Sequence, residues 1–395
     1  MAAVTSNDRT TRMKDWLLTK SAPQNAISLK PGSNLLLAST IHGLARRSKG
    51  HKLTEIENKG VQLFKVFAES EDELNSYGSI CAEAKAAARA KSFVAMNAPT
   101  SIMELADDTP LTQEQFYAEI KELGEETVRQ PHIRAVQAGQ VQPDGEIPAT
   151  PGFAEASKVV GRGLTMFLGS SEGDRKSGGV VGPRLGFHLI PREFHCIRKS
   201  GESGHDEVYF TWGFGDDGDD KSWHKTGEFG SVSSGSRREF PTPPWFHSGQ
   251  PQKCCTGTII CWEADHSSSE WREKLRLAMS ELAELARSLC HDVGNNALNE
   301  LIGQLPGFSE YADLMFWIEN IATLIAALID WLKNKDDKVK ENSYGWSREY
   351  MEEKGTHELT LDFNGGSGGH HRVYTEFFFR ESEAPGGGIG MGSIE

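Results

Sequence analysis

The sequence predicts an α+β protein in which a helical amino-terminal region is joined to an antiparallel β-sandwich carrying an inserted helical hairpin. Three observations predict it. Apolar residues recur at helical spacing behind capping signals within residues 1–137. After about residue 184, aromatic and β-branched runs alternate with Gly, Asp and Ser clusters, as strands joined by loops do. Between 269 and 335 this texture gives way to two apolar stretches of helical period.

In chain order, Ser33 is placed to cap a helix through LLLASTIHGLARR that ends near Gly50, because a serine oxygen accepts from the free amides of a first helical turn. A second helical run is expected from Gly60 to Lys91, where Leu63, Phe64, Phe67 and Leu74 precede the strong formers AEAKAAARAK. Thr112 followed by Gln115 forms a capping-box pattern ahead of Phe116, Ile120 and Leu123, which would pack inward. Residues 138–183 are rich in Gly, Pro and polar side chains and read as a linker-rich segment. The strand candidates follow within 184–380: LGFHLIP, EFHCIRK, DEVYFTWGF, TGTIICWEA, HELTLDF and RVYTEFFFR. HELTLDF alternates with Leu359, Leu361 and Phe363 on one face, which suits a half-buried antiparallel strand.

The insertion at 269–335 contains two helices and a Pro306–Gly307 turn. Leu275, Met279, Leu282, Leu285 and Leu289 line one helix; the segment 311–333 forms the other, with a broad apolar face from Leu314 to Leu332. The second is long enough to span a bilayer, yet Asp313, Glu319 and Asp330 interrupt it, so burial inside the protein is the expected resting state. Residues 381–395 form a Gly-rich tail.

His195–Cys196 followed by GESGHDEVYF, an acidic glycine loop, IICWEAD and a helical pair resembles a β-rich module that recurs in uncharacterised bacterial and fungal proteins, over residues 190–380. The residues that match its pattern are Cys196, Asp206–Glu207–Val208–Tyr209, and Glu263 with Asp265. The resemblance implies the β-rich fold and carries no activity.

Composition excludes some functions. With 42 Lys plus Arg against 56 Asp plus Glu, the net charge of -14 opposes general attraction to nucleic acid. The amino terminus lacks a basic stretch followed by a long apolar core, so the expected location is cytoplasmic, or outside after export without a Sec signal. Cysteines at 81, 196, 254, 255, 261 and 290 are sparse and lack paired zinc-ligand spacing, so a reducing compartment and buried thiols are expected.

The densest acidic feature is Asp216, Asp217, Asp219 and Asp220 around Gly218, with Asp206 nearby and Glu263 and Asp265 later in the chain. Carboxylates on a loop suit calcium, which takes six to eight oxygen ligands in irregular geometry. An EF-hand is excluded by Lys221 and Ser222 at its fifth and sixth positions, leaving a loop-end calcium site as the expectation. No G-x-S-x-G elbow, HExxH or P-loop occurs, and His195 and Cys196 would face opposite sides of one strand. The sequence therefore points to a non-enzymatic, membrane-directed or toxin-like effector. A self-associating structural or assembly protein is the alternative, followed by a hydrolase without a recognisable motif.

Overall fold

The computed structural model describes residues 6–18, 30–90, 97–148, 150–170, 185–201, 203–265, 269–292, 311–332 and 337–381. Within the expected linker-rich segment, the flexible candidate at 170–183 lies outside them beyond Ser170, as do the Pro306–Gly307 turn and the Gly-rich tail beyond 381. The chain is α+β. Its first part forms α1 (Ser6–Leu18), α2 (Leu35–Ser48), α3 (Glu55–Phe67), α4 (Glu71–Arg89), the single turn α5 (Thr100–Met103) and α6 (Gln113–Val128).

The local signals at Thr112 act as expected. Its hydroxyl accepts from Gln115 N at 3.2 Å, the Gln115 side chain accepts from Thr112 N at 3.0 Å, and Phe116 and Ile120 are buried. Two helix expectations are corrected. Ser33 caps nothing: it sits in a 3-10 turn, Pro31–Asn34, and its hydroxyl accepts from Gln130 Nε2 at 2.6 Å. The run from Gly60 to Lys91 is two helices, broken where Ser70 accepts from Glu73 N at 3.2 Å and starts α4.

The segment expected to be linker-rich is also corrected, because it contributes to the framework. Following β1 (Ile133–Gln137), it carries α7 (Phe153–Val160) and the fully buried β2 (Arg162–Leu168). The remaining strands are β3 (Leu185–Arg198), β4 (Asp206–Asp216), β5 (Lys221–Lys225), β6 (Phe229–Val232), β7 (Arg237–Glu239), β8 (His247–Gly249), β9 (Cys254–Glu263), β10 (Asp337–Ser347), β11 (His357–Asn364) and β12 (His370–Glu381). LGFHLIP and EFHCIRK, expected as two strands, are the single strand β3. Its register against β12 shifts between Pro191 and Glu193, so a bulge absorbs the missing proline donor.

Among the described residues these strands form two sheets. The larger runs β1-β2-β10-β9-β4-β5 with β6 also on β4; the smaller runs β11-β12-β3-β7 with β8 also on β3. The expectation of purely antiparallel pairing is corrected at one edge, where β1, β2 and β10 are parallel neighbours.

Strand periodicity explains how the larger sheet is covered on both faces. Phe210, Trp212 and Phe214 of β4, with Cys255, Ile259 and Cys261 of β9, share an apolar core with Leu189, Leu361 and Phe377 of the smaller sheet. The alternate residues Tyr209, Ile260 and Trp262 join the core beneath the helices. Between β9 and β10 the chain inserts α8 (Ser269–Asp292) and α9 (Ala312–Leu332). α8 lies along β4, β5 and β9, and a Cβ on Gly213 would come within 2.4 Å of Met279 O, so glycine permits that close approach. α9 packs on β2, β10, α2 and α6, and Trp331 meets Trp16 and Phe64 at ring separations of 4.8 and 5.5 Å.

Polar residues fix α9 in this core. Glu319 Oε1 accepts from Arg162 Nη2 at 2.9 Å and lies 3.1 Å from His132 Nε2, with all three side chains buried. Burial pushes the Glu319 carboxyl up, but Arg162 and His132 outweigh it and hold the group at about 2. Asn320 accepts from Leu36 N at 3.0 Å and donates to Gly32 O at 2.9 Å.

Candidate functional site

The seven acidic residues expected to gather around calcium are divided between opposite ends of β4 and β9. Those strands pair antiparallel from Val208 beside Glu263 to Asp216 beside Cys255. Asp206 and Asp216 are thus ten residues apart along one strand, about 33 Å at the strand rise. At the first end, Asp206 accepts from Ser200 N and Oγ at 2.7 and 2.8 Å; Glu263 ends β9 and Asp265 follows it.

At the other end the acidic loop is used structurally. Asp216 Oδ1 accepts from Gly218 N and Asp220 N at 2.8 and 3.1 Å, and its Oδ2 lies 2.8 Å from His247 Nε2. Asp217 Oδ1 accepts from Gln252 N and Lys253 N at 2.8 and 3.0 Å, and Asp220 Oδ2 from Gln250 N at 3.0 Å. Asp219, at φ 73, accepts from Arg287 and lies against His291 at 2.6 and 2.9 Å, tying the loop to α8. Among the described residues no group of three or more His, Cys, Asp or Glu side chains is arranged to hold a metal. Cys196 faces the core between the sheets, where burial and then Asp206 push its thiol up to about 11. It is therefore an unreactive protonated thiol at neutral pH.

A different site forms where the core between the sheets becomes polar at one edge. Strand register places Arg134 of β1 beside Thr165 of β2, and Thr165 beside Tyr344 of β10. Asn342 and Lys340 precede Tyr344 at two-residue steps and so share its face. This row floors a cleft of about 420 Å³. Thr360, Asp362, His370 and Arg372 of β11 and β12 form the facing wall, while Glu146 and the α7 residues Phe153 and Ser157 close the sides.

The two walls differ in charge pairing. On the outer wall, Asp362 Oδ1 lies 2.6 Å from His370 Nε2 and 3.4 Å from Arg372 Nε, and Arg372 Nη1 donates to Glu146 at 3.0 Å. On the floor, Arg134 donates to Thr165 Oγ1 at 3.0 Å and to Pro148 O at 3.1 Å, and its guanidinium stacks 4.0 Å above the Phe153 ring. Lys340 donates to Ser157 O. Neither floor cation makes a carboxylate ion pair within 4 Å among the described residues.

Desolvation is the main influence on both cations. It lowers the Arg134 pKa against weaker support from Tyr344 and Asp362, although a guanidinium stays charged. It lowers the Lys340 ammonium to about 7, helped by Lys338 and opposed by Glu341 and Asp362. The β10 register shifts against β9 between Lys338 and Lys340, a bulge that re-aims the lysine relative to a regular strand.

No family model matches the chain, and no curated protein matches it. Among solved structures it is similar to human GIVD cytosolic phospholipase A2 in complex with methyl gamma-linolenyl fluorophosphonate. The identity is 10% and the TM-score 0.23, over 50% of this chain and 17% of that one. A likeness of that size assigns neither fold nor activity.

Sequence reasoning did not find Arg134, Lys340, Asn342, Tyr344 or Asp362. Asp362 lies in the expected HELTLDF strand, but the other four stand on β1 and β10, which the sequence did not mark as strands, and β10 reaches β2 only after seven intervening strands and the helical insertion. The available signal is the alternation Lys340, Asn342, Tyr344, Trp346 in β10, which becomes informative only once β10 is known to be a buried central strand.

Proposed function

We propose that this chain is a recognition protein whose cleft between the sheets binds a small ligand bearing a carboxylate or phosphate. The observation that carries this reading is the floor pair Arg134 and Lys340: two desolvated cations facing one cavity without a carboxylate ion pair among the described residues. A buried charge without a counter-charge is destabilising by several kcal/mol, and a bound anion offsets that cost. Asn342 and Thr165 add neutral hydrogen-bonding groups for orientation.

Thermal unfolding in phosphate, malonate or pyruvate, against chloride at matched ionic strength, tests the reading. A ligand of the right class stabilises by about 2.7 kcal/mol at a hundred times its dissociation constant. Arg134→Met is expected to lose the shift. Equal melting in all anions, or a specific shift that survives both Arg134→Met and Lys340→Met, removes the proposal.

The membrane-directed or toxin-like effector, with a self-assembling scaffold beside it, is a second proposal supported by one observation. Ala312–Trp331 is long and apolar enough to cross a membrane, although 89% of its most apolar window is buried. Insertion requires α9 to leave Arg162 and His132, so Glu319 would lose its partners. Leakage of liposomes caused by the purified chain supports the effector; a discrete large particle without leakage supports the scaffold.

A further inference from the structure

Lys340 combines features that an anion clamp alone does not use. Its side chain is buried, yet it lines an open cleft large enough for a small organic molecule. A lysine amine has three donor positions when protonated, and Ser157 O engages one of them. The bulge between Lys338 and Lys340 fixes the chain locally, while α7 covers the amine through Ser157. Arg134 reaches the same cleft from β1 and offers a planar guanidinium suited to a carboxylate. A cleft with one buried amine and one carboxylate-binding guanidinium matches a molecule with a carbonyl close to a carboxylate.

We infer that Lys340 is a covalent carbonyl-capture site, forming an imine with a small 2-oxo acid whose carboxylate is held by Arg134. The inference rests on the anion-binding reading of the cleft and adds bond formation to it. The Nζ lone pair attacks the carbonyl carbon and forms a C–N bond. The carbonyl C–O bond then breaks, and both amine protons depart with that oxygen as water. No oxidant or reductant enters. A desolvated lysine beside a second cation retains a neutral, nucleophilic fraction at neutral pH, and Lys340, held at about 7, meets that requirement. Tyr344 has the opposite character: burial raises its phenol well above the usual range, leaving it a neutral hydroxyl beside the amine row.

The test incubates the full chain with pyruvate and sodium cyanoborohydride at neutral pH, followed by intact mass and peptide mapping. The expected result is a single reduced adduct on Lys340, lost in Lys340→Arg, retained in Lys338→Arg, and suppressed by excess phosphate. Acetone, which has the carbonyl without the carboxylate, is expected to label weakly. Adducts spread over surface lysines, or equal labelling of Lys340→Arg, overturn the inference. A thermal shift with pyruvate but no adduct overturns covalent capture alone; neither shift nor adduct overturns the anion reading as well.

Discussion

The Arg162 guanidinium donates to Glu319 at 2.9 Å, joining the first residue of β2 to the middle of α9. The contact explains why an acidic residue interrupts the most apolar helix of the described chain. With His132 on the same oxygen, Glu319 orients α9 against the sheet edge that also floors the cleft. Thr323, one turn along α9, accepts from the same Arg162 nitrogen at 2.8 Å.

Removing the acid should therefore be costly. Glu319→Ala leaves a buried arginine without its carboxylate, and the expected loss is about 3–5 kcal/mol in denaturant unfolding. The pH dependence has a definite sign. The folded carboxyl is held at about 2, below its unfolded value, so its contribution is present above the unfolded value and fades as pH falls toward 2. The variant and parent should converge in stability in strong acid. A constant difference from pH 7 down to pH 2 would assign the loss to packing.

Ile325 lies on the buried face of α9 at 4% exposure. Ile325→Asp places an unpaired charge in that core, and a loss of several kcal/mol is expected. Unchanged thermal unfolding would show that α9 does not occupy this position in solution.

The acidic loop supplies a separate test. Asp217 accepts from three backbone amides, those of Gln252, Lys253 and, at 3.4 Å, Cys254, so Asp217→Ala is expected to cost about 1–3 kcal/mol through loss of their acceptor, even with chelator present. Calcium binding, proposed from the sequence, predicts a different pattern: calcium raises the melting temperature of the parent, and Asp217→Asn loses that rise. Measuring both variants with and without chelator separates the structural role from a cation site.

Some of this fold was legible because its determinants are local. Thr112 and Gln115 stand three residues apart and bond only each other's backbone, so the pattern needs no tertiary knowledge. The β4 and β9 runs also read as strands, since their aromatic and β-branched residues are dense. β2 was hidden because both its faces are buried: Leu164, Met166 and Leu168 face the helices and Phe167 the other sheet, leaving no polar alternation. β10, with its Lys, Glu and Asn residues, was not among the strand candidates, yet Lys340, Glu341 and Asn342 are buried. The cleft was illegible for a related reason. Arg134 meets Tyr344 only through parallel pairing on both sides of β2, and parallel partners leave no short-range turn signal.

Substitution at Lys340 is predicted to act in the opposite direction to substitution at Glu319, although both groups make stability rise with pH, each in its own window. Its folded pKa, about 7, is depressed below the usual lysine value, so the unfolded chain binds more protons between the two. Stability associated with this residue therefore rises with pH through that window. Lys340→Met is expected to stabilise the unliganded protein by a few kcal/mol at pH 6 and by much less at pH 10. An equal effect at both pH values would mean that the amine is solvated.

The clamp formed by Arg134 and Lys340 is tested most directly by the protons exchanged when an anion binds. Calorimetric titration at pH 8 of phosphate or malonate, whichever stabilises more and neither of which can form an imine, repeated in two buffers of different ionisation enthalpy, gives the number taken up. The mostly neutral Lys340 amine must become ammonium to hold the anion, so uptake of roughly one proton per anion is predicted, with loss of that uptake in Lys340→Met. Binding with no proton uptake, or uptake unchanged in Lys340→Met, would contradict the clamp.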